Sequence, residues 1–129
     1  MKKRKLPRPT DAELAILRVL WMRGPSTVRE VQEELSKGQP TGYTTALKFL
    51  QIMTEKGLVR RDESERTHVY MATLPQEETQ EQLVSDLLER AFGGSAHKLV
   101  LRALSVDRTP IKDLEQIRRL LDRMERSDS

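Results

Sequence analysis

The chain has 129 residues, with 23 Lys and Arg against 20 Asp and Glu for a formal net charge of +3. Hydrophobic residues make up 36% and aromatics only 4%, a polar composition that is still too rich in patterned Leu, Val and Ile for a wholly disordered chain. Without Cys there is no disulfide scaffold, thiolate metal site or cysteine nucleophile, and no apolar run approaches the roughly 18 residues of a membrane span.

Residues 1–9 hold five bases (Lys2, Lys3, Arg4, Lys5 and Arg8) and no acid, whereas residues 10–73 hold nine of each sign and residues 74–129 hold nine bases and eleven acids. The positive excess therefore sits in a Pro-punctuated segment, expected to be a basic flexible tail over 1–9, where Lys2, Lys3, Arg4 and Lys5 can reach a nucleic-acid backbone by charge alone. That segment lacks the apolar core of a signal peptide, so a cytoplasmic protein is expected. Five charges without an amphipathic helix or a lipidation signal give only reversible, salt-sensitive attraction to a membrane surface.

Thr10-Asp11-Ala12-Glu13 is a capping box that opens a first helix. Leu14, Leu17 and Trp21 form its apolar stripe, with Ile16 and Leu20 beside them, and Gly24-Pro25 ends it. Thr27-Val28-Arg29-Glu30 repeats the box and opens a second helix, whose stripe is Val28, Val31 and Leu35 and whose end is Lys37-Gly38-Gln39-Pro40. A third helix starts near Thr41–Thr44, turns Ala46, Leu50 and Met53 inward and ends at Lys56-Gly57. The period then changes: Leu58–Arg61 and Thr67–Met71 read as two strands around the turn Asp62-Glu63-Ser64-Glu65. Three short helices and a hairpin are the order of a winged helix-turn-helix, here expected over 10–73, although small domains of this kind also serve protein docking.

A long helix is expected from Pro75 to about Ala91, with Leu83, Val84, Leu87 and Leu88 as its apolar face. Gly93-Gly94-Ser95 breaks it, and Ser95 can cap a helix over Ala96–Ser105. Thr109-Pro110 reads as an N-cap followed by a first-turn proline. The final helix carries Leu114, Ile117, Leu121 and Met124 at a spacing close to a coiled-coil seam. So short a helical lobe, expected over 74–126, has too little interior to bury these faces alone. Pairing with a second copy through Leu87, Leu114, Ile117, Leu121 and Met124 is the economical solution, which predicts a homodimer.

Little in the chain suggests catalysis. His68 and His97 fall on different elements and lack a spaced carboxylate partner, so no metal site is expected, and no Gly-rich phosphate loop or cofactor site is present. The paired acids Glu33/Glu34 and Glu77/Glu78 are adjacent in sequence and point apart on a helix. The third helix is different. Tyr43, Thr44 and Thr45 offer three hydroxyls in succession, after Thr41, where one would satisfy a cap. Helix amino ends favour phosphate, and Thr methyls can pack on thymine. Lys48 follows Thr44 by four residues and shares its face. Arg60, Arg61 and Arg66 flank the hairpin turn, where a wing would meet phosphates, with the acids Asp62, Glu63 and Glu65 crowded beside them.

Several separated stretches resemble one family. Thr10–Leu17, Leu20-Trp21, Thr27–Val31, Gly42–Leu47, Leu50–Val59 and Phe92–Ser95 are similar, in that order, to motifs of the penicillinase-repressor family over roughly residues 8–122. The resemblance implies a dimeric transcriptional repressor, mainly α, with a winged-helix domain and a helical dimerisation lobe, acting on a palindromic operator of double-stranded DNA. By position it makes Tyr43, Thr44, Thr45 and Lys48 operator-reading residues, the wing from Arg60 to Tyr70 a phosphate contact, and Trp21 the family's core tryptophan. Antibiotic-sensing members are inactivated by a receptor protease that cuts an Asn-Phe bond in the dimer lobe, and Arg102-Ala103 stands at that place here. Copper-sensing members carry a carboxy-terminal cysteine cluster that this chain lacks. The alternative, favoured by the even charge of residues 10–73, is a winged-helix protein-interaction module without sequence-specific DNA binding.

Overall fold

The two Thr-x-x-Glu boxes form as the sequence predicts and set the starts of the first two helices. In a computed structural model describing residues 6–128, the Thr10 hydroxyl accepts the Glu13 amide at 3.2 Å, while the Thr10 amide donates to Glu13 Oε1 at 2.9 Å. Thr27 and Glu30 make the same reciprocal pair. Helix α1 (Asp11–Arg23) and helix α2 (Val28–Gly38) follow from these caps. Helix α3 (Tyr43–Lys56) ends in a Schellman turn at Gly57, whose φ of 83° favours glycine. There the Leu58 amide bonds the Met53 carbonyl and the Gly57 amide bonds that of Thr54.

Strands β1 (Val59–Asp62) and β2 (Val69–Ala72) pair antiparallel, with Val59 opposite Ala72 and Asp62 opposite Val69. Both begin later than expected. Leu58 is spent in the helix-ending turn, and residues 63–68 remain in the hairpin loop. A third strand position escaped the sequence reading: Ser26 exchanges both backbone bonds with Tyr70 at 2.9 and 2.8 Å, tying the link between α1 and α2 to the hairpin. A single bridged residue has no alternation to read.

Among the described residues the core lies in the first of two compact units, residues 1–84. Ile16, Leu17, Val19 and Leu20 of α1 meet Val28 and Val31 of α2 and Ala46, Leu50 and Met53 of α3, closed by Leu58, Val59 and Tyr70. Trp21 is half-buried, and its indole N–H donates to the Leu74 carbonyl at 3.1 Å. The tail expected to run through residue 9 ends sooner, because Leu6 is part of this core. It lies against Gly57, and its carbonyl accepts from Gln82 of helix α4 (Gln76–Phe92) at 2.9 Å. Lys2, Lys3, Arg4 and Lys5 lie outside the described residues. The division between units falls inside α4, after Val84, later than the expected boundary at residue 73, since buried Thr79 and the Gln82 bond belong to the first unit.

The second unit, residues 85–129, comprises the rest of α4, helix α5 (Ala96–Val106) and helix α6 (Ile111–Ser127). Ser95 caps α5 as expected, accepting the Lys98 amide. Thr109 does not cap α6. Pro110 is the N-cap, with an extended ψ of 149°, and its carbonyl takes the Leu114 amide at 3.0 Å, so the helix starts one residue later. No side chain of α5 or α6 is buried. No helix among the described residues is long and apolar enough to cross a membrane.

Candidate nucleic-acid interface

Helix α3 is two-faced. Ala46, Leu50 and Met53, at i, i+4 and i+7, are 0% exposed and fasten it to α1 and α2. The opposite row, Thr44, Lys48, Gln51 and Glu55, faces solvent, with exposed Tyr43 and Thr45 on its flanks. The amino end of α3 is not capped by a hydroxyl. Its N-cap is Gly42, which makes no side-chain bond. The hydroxyls of Tyr43, Thr44 and Thr45 are thus present without the local task that would explain them, at the positive end of the helix dipole.

Thr41 behaves differently from its neighbours. It is half-buried, and its hydroxyl donates to the Gln39 carbonyl at 2.9 Å. Gln39 itself is extended (φ −146°, ψ 130°), as a residue before proline tends to be.

Charge is sorted around this helix although residues 10–73 sum to zero. Arg23 of α1 pairs with Glu30 and Glu34 of α2, and Lys37 closes the row on Glu34 at 2.8 Å. The Glu30 and Glu34 carboxyls lie below their ordinary range, Glu30 chiefly through the Thr27 amide and then Arg23, Glu34 chiefly through Lys37. Lys56, at the far end of α3, pairs with buried Glu13 at 2.8 Å. Lys48 makes no ion pair among the described residues, so its charge is available on the solvent face of α3.

The hairpin separates the arginines that the sequence places together. Arg61 lies opposite Tyr70 and Arg60 opposite Met71, so successive side chains leave opposite faces. Arg61 shares the face of Tyr70 and pairs with Glu63, and these two neighbours, Tyr70 first, raise the guanidinium above its ordinary value. Arg60 is exposed on the other face, and Arg66 is exposed in the loop. The acids of the turn are partly occupied: the Asp62 carboxylate accepts the Ser64 amide at 2.9 Å, which lowers its pKa, and Glu63 holds Arg61. The structure thus brings Tyr43, Thr44, Thr45 and Lys48 onto one helix and leaves Arg60, Arg61 and Arg66 exposed on the wing, Arg61 in an ion pair with Glu63, while it engages Thr41 internally.

Sequence reading did not single out Gln32 and Ser36 of α2, whose side chains bond Thr41 at the entry to α3. A Gln and a Ser on a helix surface carry no signal of such a contact, because their partner is a backbone group beyond a turn.

A family model described as penicillinase repressor matches residues 9–123. The transcriptional regulator BlaI of Mycobacterium tuberculosis is 33% identical over 122 residues, covering 94% of this chain and 88% of that protein. The penicillinase repressor of Bacillus licheniformis is 25% identical over 119 residues, covering 92% and 93%. Among solved structures, the DNA-binding domain of the repressor BlaI superposes with a TM-score of 0.51 at 28% identity, covering 59% of this chain and 93% of that one. The monomeric form of Bacillus licheniformis BlaI, in complex with the blaP half-operator, gives 0.50 at 28% identity, covering 57% and 90%.

Proposed function

The chain belongs to the penicillinase repressor family, and we propose that it is a DNA-binding transcriptional repressor, cytoplasmic and homodimeric, that occupies a palindromic operator with α3 of each subunit in a major groove. The observation that carries this reading is the solvent face of α3. Thr44, Lys48 and Gln51 stand on it with Tyr43 and Thr45 at its edges, above an uncapped amino end, and the reverse face is wholly buried. A helix held from one side and furnished on the other with hydroxyls and an ammonium that has no ion pair among the described residues suits both base edges and phosphates. A related repressor was solved with its half-operator, which supports DNA as the ligand.

Arg60 and Arg66 supply the flanking phosphate contacts in this reading, and Lys2, Lys3, Arg4 and Lys5 add affinity that does not depend on sequence. Dimerisation is assigned to residues 85–129, where Leu87, Leu121 and Met124 are exposed and Leu114 and Ile117 half-buried. The half-sites then lie about one helical turn of DNA apart, or a multiple of it. Arg102 and Ala103 are exposed on α5 in place of the pair cut in antibiotic-sensing relatives, so derepression by a receptor protease at that bond is not part of this proposal.

Fluorescence anisotropy tests it, with a duplex that the protein selects from a random pool and a shuffled duplex of equal composition. Lys48→Ala should weaken binding to both and lower the slope of log K on log salt by about one. Thr45→Ala should relax preference at one position with the slope unchanged. Two variants that bind like the parent would remove α3 as the reading element. Equal weak binding of both duplexes by the parent would favour a protein-docking module, the reading to which the even charge of residues 10–73 points.

A further inference from the structure

The amino end of α3 is held from the side, by the neighbouring helix. Gln32 Nε2 and Ser36 Oγ both donate to the Thr41 carbonyl oxygen at 3.0 Å, and the Thr41 amide donates back to Ser36 Oγ at 3.2 Å. Gln32 Nε2 also approaches Ser36 Oγ at 3.4 Å. Both backbone groups of the residue before the Gly42 N-cap are thus satisfied by side chains one turn apart on α2. Besides these, the entry has the bond from the Thr41 hydroxyl to the Gln39 carbonyl at 2.9 Å and that from the Gln39 amide to the Leu35 carbonyl at 3.1 Å. Residues 37–40 are exposed, and a Cβ added at Gly42 would meet nothing within 4 Å.

We infer that Gln32 and Ser36 are positioning residues for operator discrimination, acting through Thr41 on the orientation of Tyr43, Thr44, Thr45 and Lys48. The inference rests on the proposal that α3 reads DNA. Hydrogen bonds to base edges tolerate displacement of only about 0.5 Å and 10–20°, whereas attraction to phosphates depends on charge and distance and survives small rotations. Gln32 and Ser36 are uncharged, so releasing Thr41 alters base contacts and leaves the electrostatic term in place. A role confined to stability would leave the ratio of specific to non-specific affinity unchanged.

The 129-residue chain is compared with Ser36→Ala, Gln32→Met, the double variant and Ser36→Thr, using the selected and shuffled duplexes described above. Ala and Met are good helix formers, so α2 itself is retained. For Ser36→Ala the ratio of selected to shuffled affinity should fall about fivefold to tenfold, the equivalent of roughly one hydrogen bond, with shuffled-duplex affinity and salt slope unchanged. Ser36→Thr should restore the ratio. The double variant should lose less than the two single losses combined, because both side chains act on one oxygen. Single variants that discriminate as the parent does, or that lose both affinities equally in step with melting temperature, would overturn the positioning role. A parent chain that selects no sequence at all would overturn the DNA reading and this inference with it.

Discussion

Glu13 closes the capping box with Thr10 and meets Lys56 at 2.8 Å, at only 2% exposure. Burial alone would raise its carboxyl, but the Lys56 ammonium and the Thr10 amide outweigh this and hold it below the ordinary 4.5. A carboxyl lowered on folding adds stability that is present in full above pH 4.5 and is lost as pH falls through the folded value. Glu13→Gln keeps an acceptor for the Thr10 amide and removes the charge. It should cost about 1–3 kcal/mol at pH 7, and the difference from the parent should shrink as pH drops below 4.5, measured by urea melts at several pH values. Parallel losses for both proteins on acidification would exclude Glu13 as a source of the acid sensitivity. Thr10 and Glu13 are legible as a cap because they are three residues apart. Lys56, 43 residues away, is a partner that no local rule supplies.

At the scale of elements, the helices start where their hydroxyl caps or glycine breaks stand, and they differ from the sequence reading mainly where proline takes the N-cap, as at α6. The amino-terminal segment is the larger revision. Its charge reads as a tail, but Leu6 is buried against the Gly57 turn and is bonded by Gln82. Deleting residues 2–5 should therefore weaken selected and shuffled duplexes alike, lower the salt slope and leave their ratio nearly constant. Removing residues 1–8 takes Leu6 as well and should also lower the melting temperature, since burying a leucine contributes about 1.5–3 kcal/mol. Calorimetry of the two truncations alongside anisotropy separates the effects, and equal melting temperatures would deny Leu6 its place in the core. The hairpin teaches a similar lesson. The sequence groups Arg60 with Arg61, and the pleat sends them to opposite faces, Arg61 alone taking Glu63 as an ion-pair partner.

For the whole molecule, the contrast between the two units is the main fact. The first has a closed core, whereas in the second Val100, Leu101, Leu120, Leu121 and Met124 are exposed to water. Isolated short helices with open apolar faces are marginal in water, which is the physical basis for assigning this unit to dimerisation. Ile117→Asp places a charge on the face bearing Leu114 and Leu121, where burial between subunits would leave it unpaired. The expected result is a monomer in sedimentation at micromolar concentration, together with loss of binding to the selected duplex. A variant that remains dimeric would move the interface away from this face of α6.

Local order in this protein was determined by the sequence itself. Hydroxyl and carboxylate three residues apart, glycine where φ is positive, and apolar residues at helical spacing act within one or two turns, so the caps, the inward face of α3 and the repressor motifs can all be read in one dimension. Only the tertiary structure decided which polar groups are left for a partner. Lys56 and Thr41 are taken up by residues distant in sequence or across a turn, Leu6 joins the core, and Lys48 keeps its charge for solvent. Such choices depend on distances in space between side chains and backbone groups, which the order of residues does not contain until the chain has folded.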